Sequence, residues 1–122
     1  MTDRPDKRTG GLARLARAFA STGKGFRAAW RNEEAFRHEC LLAMVLVPLG
    51  LWLGKSGVER ALLVAPVFVL LAIELVNSAV EATVDRIGVE RHPLSGLAKD
   101  LGSAAVFVGF VLLGSTWLLV LA

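Results

Sequence analysis

The segment 73–86, IELVNSAVEATVDR, carries polar groups directly after the apolar run 61–72. On an α-helix, at roughly 100° per residue, four of its side chains fall within an arc of about 80°: Glu74, Asn77, Glu81 and Asp85. A buried carboxylate suits a general base acting on a hydroxyl group. A carboxylate near water suits a cation such as Mg²⁺, which prefers oxygen ligands and bridges to substrate phosphates. The spacing therefore indicates proton transfer and cation binding on one helix face.

Composition and apolar runs predict an all-α membrane protein around this face. Of the 122 residues, 54% are hydrophobic, which exceeds the usual average for soluble domains. We expect one domain, 1–122, whose transmembrane helices occupy about 36–54, 61–84 and 100–121. Pro48 and Pro66 lie inside two of these spans, where neighbouring helices tolerate a kink.

Residues 10–32 are predicted to form an amphipathic helix on the membrane surface. Apolar side chains share one face: Leu12, Leu15, Phe19, Phe26 and Trp30. Basic side chains share another: Arg14, Arg17, Lys24, Arg27 and Arg31. Gly23 and Gly25 are expected to interrupt the helix. The same pattern also fits a basic membrane anchor with no chemical role.

Charge distribution predicts the orientation of the chain in the membrane. Of the 14 Lys and Arg residues, nine lie in residues 1–38. Nucleic-acid binding is one reading of such a cluster, but beside apolar spans a membrane anchor is favoured, and we expect no nucleic-acid partner. The connection 85–100 holds three basic residues and 55–60 holds two. The positive-inside rule then puts the N-terminus and 85–100 in the cytoplasm and the C-terminus outside.

Depth in the bilayer separates Glu74 from Glu81. If the second span begins near Ala61 on the outer side, Glu74 lies ~20 Å along it, roughly 10 Å below the cytoplasmic boundary of a ~30 Å core. Glu81 then lies near that boundary. An unpaired carboxylate at membrane depth is costly and marks a functional site. Glu33, at the inner edge, is predicted to join Glu81 on one divalent ion. A buried polar network that holds an oligomer together is the structural alternative.

The connection 85–100 adds groups suited to phosphates: Glu90, Arg91, His92, Lys99 and Asp100. A lysine near a phosphate acts as a mobile point charge. The sequence contains no Walker-type or kinase-type glycine loop, so a nucleotide site here is unconventional.

The third span predicts self-association. Gly102, Ala105 and Gly109 lie close together on one face, and small residues let helices approach closely. Three spans alone surround few buried polar groups, so a single chain would leave the Glu74 face toward lipid.

Three longer segments are specific enough to compare with known families: GFRAAWRNEEAFRHE at 25–39, IELVNSAVEATVDRIG at 73–88 and LSGLAKDLGSAAV at 94–106. They resemble the small integral-membrane diacylglycerol kinases of bacteria, and the similarity extends from about residue 14 to the third span. The resemblance implies a homotrimer, each chain with three transmembrane helices and an N-terminal surface helix. It implies transfer of the γ-phosphoryl group of ATP, as a Mg²⁺ complex, to diacylglycerol, giving phosphatidic acid at the cytoplasmic face of the bacterial inner membrane.

The resemblance also implies roles for individual residues. Glu74 is the implied proton acceptor, supported by Asn77, and Glu33 and Glu81 are the implied metal ligands. The implied nucleotide contacts are Arg14, Ser21, Glu33, Glu81, Glu90, Arg91, His92, Lys99 and Asp100. The implied lipid-side positions are Arg27, Ala28, Ala29, Trp30, Glu34, Ala35, Phe36, Arg37, His38, Glu74 and Ser103. Ser21 and His38 depart from the family pattern, which often has an aromatic residue and a glutamine there.

Two other functions stay open at the level of sequence. A related branch of the family phosphorylates undecaprenol, and the shared core does not separate the two lipids; the match over the N-terminal segment favours diacylglycerol. Intramembrane carboxylates also mark ion paths, so a cation-conducting oligomer is an alternative. The polar set at the cytoplasmic end favours the kinase, because a pore needs no phosphate-binding groups at one mouth.

Overall fold

The computed structural model describes residues 10–122, whose secondary structure consists of four helices. In chain order they are α1 (Gly11–Asn32), α2 (Glu34–Leu53), α3 (Gly57–Ile87) and α4 (Pro93–Leu121). The last three are each long and apolar enough to cross a membrane, which confirms the all-α class with three candidate spans. Residues 1–9, which hold three members of the basic cluster, lie outside the described part of the chain.

The first helix, α1, is continuous, and the expected interruption at Gly23 and Gly25 is wrong. A helical glycine costs only about 1 kcal/mol relative to alanine, which the surrounding helix-forming residues outweigh. Apolar side chains such as Leu12 and Phe19 are largely exposed, while Ala29 is buried. Phe26 packs on Phe36 of α2 with ring centroids 6.4 Å apart.

The junction between α1 and α2 is a single extended residue, Glu33, with φ −117° and ψ 104°. Its backbone N–H donates to the carbonyl of Ala29 at 2.9 Å. The guanidinium of Arg37 donates to the carbonyls of Trp30 at 2.7 Å and Arg31 at 3.3 Å. The last carbonyls of a helix otherwise lack partners, so these bonds fix where α1 ends and where Glu33 sits.

At the opposite end of the bundle, side chains hold the turn between α2 and α3. Ser56 caps α3 by accepting from the Glu59 N–H at 3.1 Å, and Glu59 accepts from the Lys55 N–H at 3.1 Å. Arg60 Nε donates to the carbonyl of Leu51 at 3.1 Å. The Ser-x-x-Glu spacing is that of a capping box, and it starts the helix that carries the predicted site.

The third helix, α3, lies between α2 and α4 and packs against both. Val67 and Leu70 of α3 form a buried core with Leu113 of α4. The indole N–H of Trp117 donates to the carbonyl of Leu63 at 2.9 Å. This bond joins the N-terminal part of α3 to the C-terminal part of α4. The central position of α3 means that groups on its faces meet both neighbours.

The connection between α3 and α4 is shorter than the predicted segment 85–100. The third helix runs to Ile87 and the fourth begins at Pro93, so Lys99 and Asp100 are helical. Pro93 occupies the first turn of α4, where a missing N–H costs nothing. With 31 residues, α3 is about 46 Å long, so it exceeds a ~30 Å hydrocarbon core and projects beyond it or tilts.

Candidate active site

The polar face of α3 is buried at its centre and opens toward one end. Glu74 is 5% exposed and Asn77 is 9% exposed. The expectation that a single chain leaves the Glu74 face toward lipid is therefore wrong, because α2 and α4 of the same chain pack against α3. Glu81, one turn beyond Asn77, is half-buried, and Asp85 is exposed. The Asn77 amide Nδ2 donates to Glu81 Oε1 at 3.4 Å. Burial therefore falls along the face from the proposed base toward the end that carries Glu81.

A second buried carboxyl, Glu39 of α2, belongs to this cluster and was not predicted. Glu39 is 6% exposed, and its carboxyl lies against that of Glu74. Acidic side chains are almost never buried unless they are paired. Its sequence position gave one usable signal, because Glu39 stands three residues after Phe36 and therefore shares its helix face. The partner, on another helix, cannot be deduced from that spacing.

Two buried oxygen atoms of the cluster, Glu39 Oε2 and Asn77 Oδ1, have no hydrogen-bond partner within residues 10–122. Most buried polar atoms are paired, so each exception requires an explanation. One carboxyl of the Glu39–Glu74 pair can donate to the other once it carries a proton. The cluster thus retains hydrogen-bonding capacity at the centre of an otherwise apolar bundle.

Both carboxylates that were predicted to bind a metal ion lie in the electrostatic surroundings of the buried Glu74. The charges of Glu81 and Glu33 both act on Glu74, although Glu33 comes from the α1–α2 junction. Within the part of the chain that the structure describes, no group of three or more His, Cys, Asp or Glu side chains is arranged to hold a metal ion. A Mg²⁺ ion bound together with substrate phosphates needs only one or two protein carboxylates. The oxygen donors of Glu33 and Glu81 fit that requirement.

Four of the predicted nucleotide contacts line one cleft of about 670 Å³ at the α3–α4 connection. They are Glu90, Arg91, His92 and Lys99. Asp100, Arg14 and Ser21 do not line this cleft. Lys99 Nζ lies 2.9 Å from Asp85 Oδ1, and both side chains are exposed. His92 Nδ1 accepts from the Leu94 N–H at 3.1 Å, so this histidine also caps α4.

Two of the predicted lipid-side residues line a groove, and most of the others lie near the junction of α1 and α2. An apolar groove of about 450 Å³ runs between α1 and α3, and Ala28, Ala29 and Glu33 line it together with Leu75 and Ser78 of α3. Outside the groove, the positions are these: Trp30 at the end of α1 and Arg37 of α2, which donates to its carbonyl; Phe36, which is buried; Glu34 and His38, an exposed pair 3.7 Å apart; and the exposed Arg27, Ala35 and Ser103.

The sequence is similar to one known protein family over most of its length. The family model for prokaryotic diacylglycerol kinase matches residues 20–121. Over 110 residues the chain is 48% identical to a diacylglycerol kinase of Haemophilus influenzae, covering 90% of this chain and 93% of that protein. The diacylglycerol kinase of Pseudomonas aeruginosa is 48% identical over 121 residues, covering 99% of this chain and 98% of its own. That of Escherichia coli K12 is 44% identical over 113 residues, with 93% of each chain covered.

The chain belongs to the prokaryotic diacylglycerol kinase family. The resemblance noted from three sequence segments is thereby confirmed, and it extends over most of the chain. The protein is associated with a membrane, because it belongs to this kinase family and has three helices long and apolar enough to span a bilayer. The roles of individual residues remain predictions.

The Glu39–Glu74 contact predicts a stability difference between two substitutions. Glu39→Leu leaves the buried Glu74 carboxyl without its polar neighbour, which should lower the free energy of unfolding by about 1–3 kcal/mol. Glu39→Gln provides an amide that can donate to Glu74, so its loss should be smaller. Unfolding by SDS titration in one fixed detergent measures both. Equal stability of the two variants would contradict a stabilising contact.

Proposed function

We propose that this diacylglycerol kinase family member transfers the γ-phosphoryl group of ATP to diacylglycerol, giving phosphatidic acid at the cytoplasmic face of the inner membrane. The observation that carries the proposal is the gradient along α3, from the buried Glu74 to the half-buried Glu81. Beside that face runs an apolar groove with Glu33 at its lining. A base inside the bilayer and a charged set near its surface suit a reaction between a lipid hydroxyl and a soluble nucleotide.

Glu74 is assigned the role of proton acceptor from the lipid hydroxyl. The free hydroxyl of diacylglycerol lies at the boundary between head groups and acyl chains, so a carboxyl a little below that boundary can meet it. The lipid does not have to leave the bilayer, because the protein needs only to align its hydroxyl with the phosphate. Positioning of this kind supplies much of phosphoryl-transfer catalysis.

Glu33 and Glu81 are assigned to the Mg²⁺ ion that accompanies ATP. When bound, this ion neutralises negative charge on the transferring phosphates. The Asn77 amide holds Glu81 by donating to Oε1. One ligand from α3 and one from the α1–α2 junction would fix the ion relative to both.

The remaining polar residues are assigned to the nucleotide. Glu90, Arg91, His92 and Lys99 share one cleft, and Arg14, Ser21 and Asp100 complete the proposed set. Lys99 is paired with Asp85, but the two side chains are 46% and 66% exposed. Exposed pairs contribute little to stability, so a phosphate can replace Asp85 as the partner of Lys99.

The lipid side is assigned to residues 27–30 and 34–38, to Ser103 and to the apolar face of α1. Phe19 and Phe26 are 70% and 50% exposed, as expected for side chains that lie on acyl chains. In this proposal α1 lies in the membrane interface and forms one wall of the site. The N-terminus and the α3–α4 connection lie on the cytoplasmic side, following the positive-inside rule.

A homotrimer is the proposed assembly. One chain leaves large apolar side chains exposed on every span, including Met44, Phe68 and Phe107. Two buried oxygens also lack partners within the described part of the chain. Association of small-residue faces would cover part of that surface.

Lipid specificity is tested directly with purified protein, Mg-ATP and one lipid at a time. We expect phosphorylation of diacylglycerol at a rate well above that with undecaprenol, measured as labelled phosphate recovered in the lipid phase. Faster phosphorylation of undecaprenol would overturn the choice of substrate. ATP turnover that does not depend on any added lipid would overturn the assignment as a lipid kinase.

The role of Glu74 predicts a large loss of rate in Glu74→Gln. The amide is nearly the same size but cannot accept the proton, and loss of a general base typically lowers the rate by ~10²- to 10⁴-fold. Glu59→Gln is a matched control, because Glu59 lies at the opposite end of α3 and the amide can still accept the capping bond. Lipid phosphorylation is measured after assembly is verified by size-exclusion chromatography. A well-assembled Glu74→Gln variant with near-normal rate sinks the assignment.

The metal role predicts an altered cation requirement in Glu33→Ala and Glu81→Ala. Each change removes one oxygen ligand, so the Mg²⁺ concentration for half-maximal rate should rise by at least about 10-fold, because loss of a mere hydrogen-bond partner of a ligand already lowers metal affinity by about 10- to 100-fold. Higher Mg²⁺ should restore part of the rate. If neither variant shifts the Mg²⁺ dependence, these carboxylates do not hold the ion.

A further inference from the structure

One helix contact near the proposed site is closer than helix packing alone requires. A Cβ placed on Gly102 of α4 would overlap Oδ1 of Asn77 and lie 3.1 Å from its Cγ. The Asn77 side chain is 9% exposed, and its Oδ1 has no hydrogen-bond partner within residues 10–122. The amide therefore occupies the space that any other residue at 102 would fill with its own side chain.

The orientation of this amide is determined by Glu81. Nδ2 donates to Glu81 Oε1 at 3.4 Å. The flipped amide would turn its oxygen toward Glu81, and an ionised carboxylate only accepts hydrogen bonds. The oxygen must therefore face α4, at the position that a Cβ on residue 102 would occupy. Contacts between an amide oxygen and a Cα–H recur at helix–helix interfaces.

Gly109, two turns further along α4, shows what an ordinary packing glycine looks like here. A Cβ on Gly109 would lie 3.1 Å from Leu70 Cδ1 and 3.2 Å from Ile73 Cδ1. Both neighbours are ends of flexible apolar side chains, which can shift. Gly109 thus lets the helices approach, whereas Gly102 adjoins a polar group that itself holds Glu81.

We propose that Gly102 is a positioning residue. Because it has no side chain, the Asn77 amide fits against α4, and from there Asn77 donates to Glu81 and orients it. In this role Gly102 acts through Asn77 and not by its own contact with substrate or cation. This inference rests on the proposed function only in so far as Glu81 serves the cation; the seating of Asn77 by Gly102 is a property of the folded chain.

The seating is tested without any catalytic measurement. The sequence contains two asparagines, Asn32 and Asn77, so selective ¹⁵N-asparagine labelling yields two side-chain amide groups. In Gly102→Ala the Asn77 Nδ2 resonances should shift, while those of Asn32 stay in place. In Gly109→Ala, the matched control on the same helix, the Asn77 resonances should keep the parent positions. Unmoved Asn77 resonances in Gly102→Ala overturn the proposal.

The consequence for the site is tested by the Mg²⁺ dependence of lipid phosphorylation. Gly102→Ala should raise the Mg²⁺ concentration for half-maximal rate by about 10- to 100-fold, as loss of a ligand's partner typically does. Gly109→Ala should leave that concentration unchanged even where thermal stability falls. In an Asn77→Ala background, Gly102→Ala should add no further change, because coupled residues are not additive. Independent, additive effects would overturn the proposal.

The outcomes remain separable when a variant misfolds or the parent is inactive. If Gly102→Ala alone does not assemble, Asn77→Ala/Gly102→Ala should assemble, because the overlap is gone; failure of the double variant as well would show that Asn77 is not what Gly102 accommodates. If the parent phosphorylates no lipid, the proposed function fails, and the amide resonances still decide whether Gly102 seats Asn77.

Discussion

A carboxyl group buried away from water requires polar neighbours, and the helices of this bundle pack so that Glu74 has them. Glu74 is nearly fully buried, and Glu39 of α2 is brought against it. One turn along α3, Asn77 links the buried region to Glu81, and α4 makes room for that amide at a glycine. Each of the three candidate spans thus contributes to one polar region.

The third helix, α3, is packed differently in its two halves. In its first half, Leu63, Val67 and Leu70 are fully buried among apolar neighbours, and Trp117 ties this end to α4. In its second half, the buried positions are the polar Glu74 and Asn77 and, near the helix end, Val84. The apolar half therefore packs α3 against its neighbours through contacts that do not involve the polar groups. A site built in this way can keep unpaired groups ready for a reactant.

The helices and the polar face of α3 were predictable because both are local patterns. Apolar length predicts spans, and a period of 3.6 residues aligns Glu74 with Asn77 and Glu81. Contacts between helices were not predictable. The partner of Glu39, the capping of α1 by Arg37 and the neighbour of Gly102 each depend on how helices cross. Continuity of α1 through two glycines was misjudged, because the intrinsic cost of glycine is small beside the propensity of a whole helix.

The junction between α1 and α2 has a mechanical consequence. Only Glu33 separates two helices that are each 20 residues or longer, and it is the capping residue of both. Any change in the inclination of α1 must be taken up at the φ and ψ angles of that one residue or its immediate neighbours. A rotation there moves the Glu33 carboxylate as well. The direction of the first helix and the position of the Glu33 charge are therefore set by the same pair of backbone angles.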